Sequence, residues 1–226
     1  TGMNLIAALI EAGLPAGVIN LVHGDAAKIG AAMLNHSAVK KISFTGSTRV
    51  GKILMDGASK TNTKLALELG GNAPVIILDD VDIEHVAKTA ATTKFRNCGQ
   101  VCISPQRFYE NEKIFEEFSA LVANYAAALT VGNGLDSETR LGPLINKTQQ
   151  QHVLQIIEQA KEEKNNIITG GTAQHPGNFV LPTVIEVTNK QSEFIHKEIF
   201  GPVMPLIPFS TIEEVITLAN QTPYGL

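Results

Sequence analysis

Two side chains in this sequence are of types that could carry covalent chemistry. Cys102 stands in Phe95-Arg96-Asn97-Cys98-Gly99-Gln100-Val101-Cys102, and Glu68 in Leu67-Glu68-Leu69-Gly70-Gly71-Asn72. A thiol in a loop after a helix can be a nucleophile, and a carboxylate on a glycine-rich turn after a strand can be a general base. Glu68 ends the apolar run Leu65-Ala66-Leu67, where a carboxylate is costly unless it is paired, solvated or useful. Gly70-Gly71 removes side chains next to it and would let a ligand or water come close. The alternative is an exposed Glu where a strand meets a turn. Around Cys102, Asn97, Gly99, Gln100 and Ser104 offer polarity and backbone access instead of an apolar pocket; the alternative is a small buried hydrophobe. Cys98, four residues earlier, is either packed or able to close a reversible C-x-x-x-C pair under oxidation. Zinc does not fit, because there is no further Cys and none of the six His residues has ligand spacing such as H-E-x-x-H.

These residues need elements to hold them. Leu5, Ile6, Leu9 and Ile10 give a helical stripe ending at Gly13, and Val18-Ile19-Asn20-Leu21-Val22 then reads as a short strand. Asp25 can cap a helix to about residue 34 with Ile29 and Met33 inward, and residues 41–44 read as strand. A turn at Thr45-Gly46 starts a helix carrying Val50, Ile53 and Leu54. After Glu68 come a strand at 75–78, a helix over 82–95, the Cys102 loop, a strand around 107–109, and helices over 112–129 and 147–163. Short strands surround Gly170-Gly171 and residues 179–181. This alternation predicts an α/β chain with parallel, doubly wound sheets, divided near Gly70.

Further candidates follow from local pattern. Phe44-Thr45-Gly46-Ser47-Thr48 sets a flexible turn and a hydroxyl at a helix start, either a plain N-cap or a seat for a phosphate on free backbone N–H groups. Glu198, before Ile199-Phe200-Gly201-Pro202, is in isolation a routine surface residue, and Gln149 could simply face solvent on its helix. Arg96 either ends its helix against the dipole or presents a planar fork to a distant carboxylate.

Composition excludes several classes. With 226 residues, 44% of them hydrophobic, the chain can bury a sizeable core. A formal charge of -4 and a pI near 5.9 argue against a protein whose task is to neutralise nucleic-acid phosphates. The apolar stretch at 5–22 is broken by Glu11, Pro15 and Asn20, so it does not read as a membrane span. Two cysteines give no disulfide framework, which fits a reducing, cytoplasmic setting.

Taken in order, L-E-L-G-G-x-x-P at 67–74 and F-x-N-x-G-Q-x-C at 95–102 resemble the general-base and nucleophile motifs of the aldehyde dehydrogenase superfamily. F-T-G-S-T-x-x-G at 44–51 and E-x-F-G-P at 198–202 are similar to its cofactor elements. The resemblance implies part of a Rossmann-like dinucleotide-binding domain over 1–69 and an α/β/α catalytic domain over 70–226. It implies Cys102 as nucleophile, Glu68 as general base, and NAD or NADP as cofactor. Gly46 and Ser47 would meet the pyrophosphate, the Leu69 carbonyl the nicotinamide amide, Glu198 the nearby ribose, Phe200 the ring, and Gln149 the same ribose region. The K-F-R-N start at 94–97 is similar to succinate-semialdehyde dehydrogenases, in which an Arg placed like Arg96 holds the far carboxylate. A small aldehyde substrate and a homo-oligomeric parent, dimer or tetramer, follow from the same resemblance. Superfamily members are about twice this long, so the chain is expected to be an internal fragment, inactive alone. An acylating or reductive relative, and a non-enzymatic fragment that keeps a catalytic motif, are the alternatives.

Overall fold

Five of the seven α-helices among the described residues start at a side chain that satisfies the first free N–H groups. In the computed structural model, which describes residues 1–174 and 176–226, Asp25 accepts from the Ala27 and Lys28 amides and opens the second helix. Ser47 does the same for the third through Val50 N–H. The chain packs as two compact units, Thr1–Leu69 and Gly70–Leu226.

In the first unit, α1 (Gly2–Glu11) and α2 (Ala26–Asn35) precede β1 (Lys41–Thr45), α3 (Thr48–Ser59) and β2 (Lys64–Glu68). β1 and β2 pair in parallel, from Lys41 opposite Lys64 to Thr45 opposite Glu68. A parallel pair needs a crossover, which α3 supplies; Gly51, Leu54 and Ala58 are its buried face.

The second unit contains β3 (Pro74–Ile77), α4 (Ile83–Phe95), a 3-10 segment (Arg96–Gly99), β4 (Arg107–Asn111), α5 (Phe115–Ala127) and α6 (Lys147–Glu162). It continues with β5 (Asn166–Thr169), β6 (Ala173–Gln174), β7 (Phe179–Val180), β8 (Thr183–Glu186), a second 3-10 segment (Glu193–His196), β9 (Val203–Phe209) and α7 (Ile212–Ala219). Its five-stranded sheet has the order β3-β4-β9-β8-β5. All neighbours are parallel except the edge strand β5, which runs antiparallel to β8. Phe108, Phe118, Val122, Val184, Phe194 and Leu206 are fully buried at the centre of its core.

Several sequence expectations are corrected. Residues 18–22 are not a strand: Val18 N–H bonds back to Pro15, Asn20 bonds to the Gly17 carbonyl, and Gly17 has φ 84°. Pro15 and Gly17 thus make a turn where the apolar run alone suggested a ladder. Met33, expected inward, is 42% exposed, and Ile53 on α3 is 55% exposed. Helix α5 begins later than residue 112, because the Glu112 N–H is spent on the Phe209 carbonyl and so extends the sheet. Strand β9 was not foreseen, since Pro205 and Pro208 interrupt a run that nevertheless lies in mid-sheet.

Glu110 is a second exception to strand rules. It sits opposite Pro208, is fully buried, and accepts the Ile207 N–H at 3.0 Å on Oε2. Its Oε1 has no partner among the described residues. Burial holds its carboxyl well above the usual glutamate range, against the pull of that N–H. A raised carboxyl stabilises the fold fully only below its unfolded value, and that contribution is lost as pH rises toward the folded value. Glu110→Gln should therefore gain in urea midpoint relative to wild type between pH 5 and pH 8. A difference independent of pH would show that Glu110 is not the titrating group.

Candidate active site

At the carboxyl ends of β1 and β2, where open parallel sheets present ligand sites, four candidate residues of the first unit meet. Thr45 is opposite Glu68, and the Gly46 N–H donates to the Glu68 carbonyl at 3.0 Å. Ser47 caps α3, its Oγ accepting from Val50 N–H at 3.4 Å. The Glu68 side chain is exposed. Leu69 packs against Gly51, where a Cβ would lie 2.6 Å from the Leu69 side chain. The N–H groups of Thr48 and Arg49 at the start of α3 suit an anion.

In the second unit, Cys102 follows a run of left-handed backbone. Asn97, Cys98 and Gly99 have φ of 51°, 59° and 69°. Gly99 is required twice over, by its φ and because a Cβ there would fall on the Gly201 carbonyl oxygen. The polar residues of the motif shape the loop. Asn97 Nδ2 donates to the Gln100 carbonyl at 2.9 Å, and the Gln100 side chain accepts the Ile145 N–H at 3.0 Å. Ser104 is buried and its N–H closes a turn on Val101. Cys102 itself is half-buried, and its N–H has no acceptor among the described residues.

Arg96 is exposed at the end of α4. It lines a cleft of about 290 Å³ with Thr92, Thr93, Val101, Ile103, Ser104 and Pro105. Both neighbours of Cys102 line this cleft, although Cys102 does not. Arg96 forms no ion pair among the described residues.

Gly70 and Gly71 present bare backbone on which the Glu198 carboxylate rests. Glu198 Oε1 accepts the Gly71 N–H at 3.3 Å, and a Cβ on Gly70 would fall on Oε2. A Cβ on Gly71 would lie 2.5 Å from the Leu226 carbonyl oxygen and 3.0 Å from that of Cys102. Phe200 adopts φ 46°, which a bulky residue holds only under constraint. Gln149 supplies that constraint, donating from Nε2 to the Phe200 carbonyl at 2.9 Å. Thus Gln149 fixes the Phe200 backbone instead of facing solvent. Sequence reasoning missed Lys94, which is fully buried. The signal was present: Ala87, Ala90, Ala91 and Lys94 share the buried stripe of α4.

Of the two thiols, Cys102 is the more accessible. Cys98 is 2% exposed and burial pushes its thiol up to about 12, which leaves negligible thiolate at neutral pH. Iodoacetamide applied to the folded protein at pH 7.5, followed by peptide mass mapping, should modify Cys102 and spare Cys98. Equal labelling of both, or ready formation of a Cys98–Cys102 disulfide, would show that the buried thiol opens to solvent.

The aldehyde dehydrogenase family profile matches residues 1–226. The chain is 45% identical over 218 residues to the mitochondrial succinate-semialdehyde dehydrogenase of Oryza sativa subsp. japonica, covering 96% of this chain and 41% of that one. It is 40% identical over 228 residues to 3-sulfolactaldehyde dehydrogenase of Pseudomonas putida, covering 100% and 47%. The NAD+ complex of aldehyde dehydrogenase from Bacillus cereus superposes with a TM-score of 0.94 at 39% identity, covering 99% and 46%. The chain therefore spans less than half the length of these relatives, and from its first residue to its last it belongs to the aldehyde dehydrogenase family.

Proposed function

We propose that the protein containing this chain oxidises an aldehyde to its carboxylic acid, with Cys102 as nucleophile and Glu68 as general base. One observation carries the reading: a half-exposed thiol with an uncommitted N–H beside it, on a backbone fixed by Gly99, in a chain matched throughout by the family. The Cys102 thiolate attacks the carbonyl carbon, and the Cys102 N–H donates to the oxyanion that forms. NAD or NADP would supply, when bound, the acceptor for the hydride that leaves this carbon. The resulting thioester is hydrolysed by a water whose proton Glu68 takes, which releases the acid and the thiolate. An acylating relative that passes its acyl group to a thiol carrier would need no base at Glu68, so that residue favours the hydrolytic branch.

The residues present fit such a cofactor. The amides opening α3 beside Gly46 and Ser47 suit a pyrophosphate. Glu198 has one oxygen on the Gly71 N–H and the other lying over the bare Gly70 backbone, a pair of acceptors suited to ribose hydroxyls. Leu69, Phe200 and Gln149 border the same assignments, with Gln149 acting through the Phe200 backbone. For the substrate we infer an aldehyde with an anionic far end. Arg96 in its cleft supports this, as do the two relatives whose names give acidic aldehydes as substrates. A homo-oligomeric parent in a reducing, cytoplasmic compartment completes the reading; the oligomer rests on family resemblance, and the compartment on the scarcity of cysteine.

In the full-length enzyme, Arg96→Ala should raise KM strongly for a carboxylate-bearing aldehyde and much less for a neutral one of similar length. The lost charge-assisted contact is worth on the order of 2–3 kcal/mol. Equal losses for both would assign Arg96 to structure alone.

Cys102→Ala should give neither a burst of reduced cofactor nor turnover. Glu68→Gln should retain a burst approaching one equivalent per site, while steady turnover slows by roughly 10²–10⁴. Wild-type turnover in Glu68→Gln would overturn the general-base assignment, and residual turnover in Cys102→Ala would remove the covalent route.

A further inference from the structure

Lys94 has a side chain with no exposed surface, two residues before Arg96 on the last turn of α4. Its Nζ donates to the Pro105 carbonyl at 3.0 Å and to Gln106 Oε1 at 3.5 Å. The same Gln106 oxygen accepts the Ile199 N–H at 3.3 Å, at the residue that follows Glu198. One ammonium therefore reaches the segment just after Cys102 and, through a single shared oxygen, the segment carrying Glu198 and Phe200. No step of the proposed chemistry uses it, and it lines no part of the Arg96 cleft. An apolar side chain of similar length would fill the same stripe without the cost of burying a charge.

We propose that Lys94 is a positioning residue that, through the shared Gln106 oxygen, ties the Glu198–Phe200 segment to the Cys102 loop and, with its charge, supports Glu198 as an acceptor for a vicinal diol. The inference rests on the reading of Glu198 as the acceptor for the ribose of the dinucleotide. Charge interactions agree with the geometry. Burial pushes Lys94 down to about 7, with Glu198 acting in the opposite sense. Burial raises the Glu198 carboxyl, and the Gly71 N–H and the Lys94 charge act against that rise. Among the described residues, Glu198 is the charge that acts on Lys94, and Lys94 the one that acts on Glu198. Without the ammonium, the Gln106 oxygen loses the donor that links it to the Cys102 side and is left with the Ile199 N–H. Glu198 would then present a displaced carboxyl to the ligand.

The test is a double-mutant cycle in the full-length enzyme at pH 6.5, below the value of about 7 to which burial lowers Lys94. Titrations with NAD+ and with NADP+ give Kd for wild type, Lys94→Met, Glu198→Gln and the double variant. The rate of Cys102 alkylation by iodoacetamide, without cofactor, reports on the loop. We expect each single variant to raise Kd about tenfold, the double variant to bind no more weakly than Glu198→Gln, and the alkylation rate of Lys94→Met to stay within about twofold of wild type. If Lys94→Met does not fold, Lys94→Gln keeps a hydrogen-bond donor, removes the charge and should give the same pattern. Kd unchanged in the Lys94 variants, or losses that multiply in the double variant, would overturn the inference while leaving Glu198 its role. Kd unchanged in Glu198→Gln would overturn the ribose reading itself, and the Lys94 inference with it.

Discussion

Arg107 is a fully buried cation whose guanidinium meets neutral oxygens. Nε and Nη2 donate to the Asn72 carbonyl at 3.0 and 2.8 Å, Nη2 also to Ala219 at 3.0 Å, and Nη1 to Leu218 at 3.2 Å and to the Tyr109 hydroxyl at 3.1 Å. Leu218 and Ala219 end α7, where the carbonyls carry the negative end of the helix dipole. A guanidinium cannot shed its proton in a protein, so once buried it must be satisfied in full. Its acceptors are therefore fixed in space, and Asn72 is the most constrained of them. Asn72 also donates from its own N–H to Leu226 and from Nδ2 to the Ile195 carbonyl. The glycine pair just before Asn72 inherits this rigidity, and the rest of the second unit's site is laid on that pair.

From Gly70-Gly71 the constraint passes through contacts of backbone on backbone. Gly71 lies against the Cys102 carbonyl, Gly99 against that of Gly201, and the Glu198 carboxylate covers Gly70. Three separate stretches of chain thus approach more closely than side chains would allow. The close approach explains why left-handed backbone gathers here. Asn97, Cys98 and Phe200 each occupy a region that costs a non-glycine residue about 1–3 kcal/mol. Asn97 is held by its bond to Gln100, and Phe200 by Gln149. Strain held in this way fixes the Cys102 loop and its neighbours before any ligand arrives, as the nucleophile role proposed for Cys102 would require.

Much of this was legible because short-range physics governs it. Asp25, Ser47 and Asp82 are caps by residue type, and each takes up the first N–H groups of the helix it precedes. The glycine-bearing motifs could be read because the chemistry of close approach restricts residue type. What escaped was decided at long range. β9 is a central strand despite two prolines because its neighbours β4 and β8 supply the ladder and the burial, and residues 18–22 fail as a strand where a proline and a glycine bend the chain. Met33 and Ile53 have the right period for burial, but nothing within their own unit covers them. For Lys94 the sequence carried the signal, a charge on an apolar stripe, but its meaning needed Gln106 and Ile199 to be seen sharing one oxygen.

Lys94, Arg107 and Glu110 are three fully buried charged residue types within one short stretch, and their surroundings separate their roles. Arg107 donates to three backbone carbonyls and the Tyr109 hydroxyl, so it serves as a fixed strut. Glu110 has one N–H and an unpartnered oxygen, and burial dominates it; its protonation follows the sheet, away from the site. Lys94 lies between these extremes, with a carbonyl, a longer bond to an amide oxygen, and Glu198 as counter-charge. Its charge and that of Glu198 favour one another. A hydroxyl-bearing ligand that donates to Glu198 would favour the carboxylate and, through it, the ammonium beneath. The ligand would then tighten the link between the Glu198–Phe200 segment and the Cys102 loop without touching Lys94.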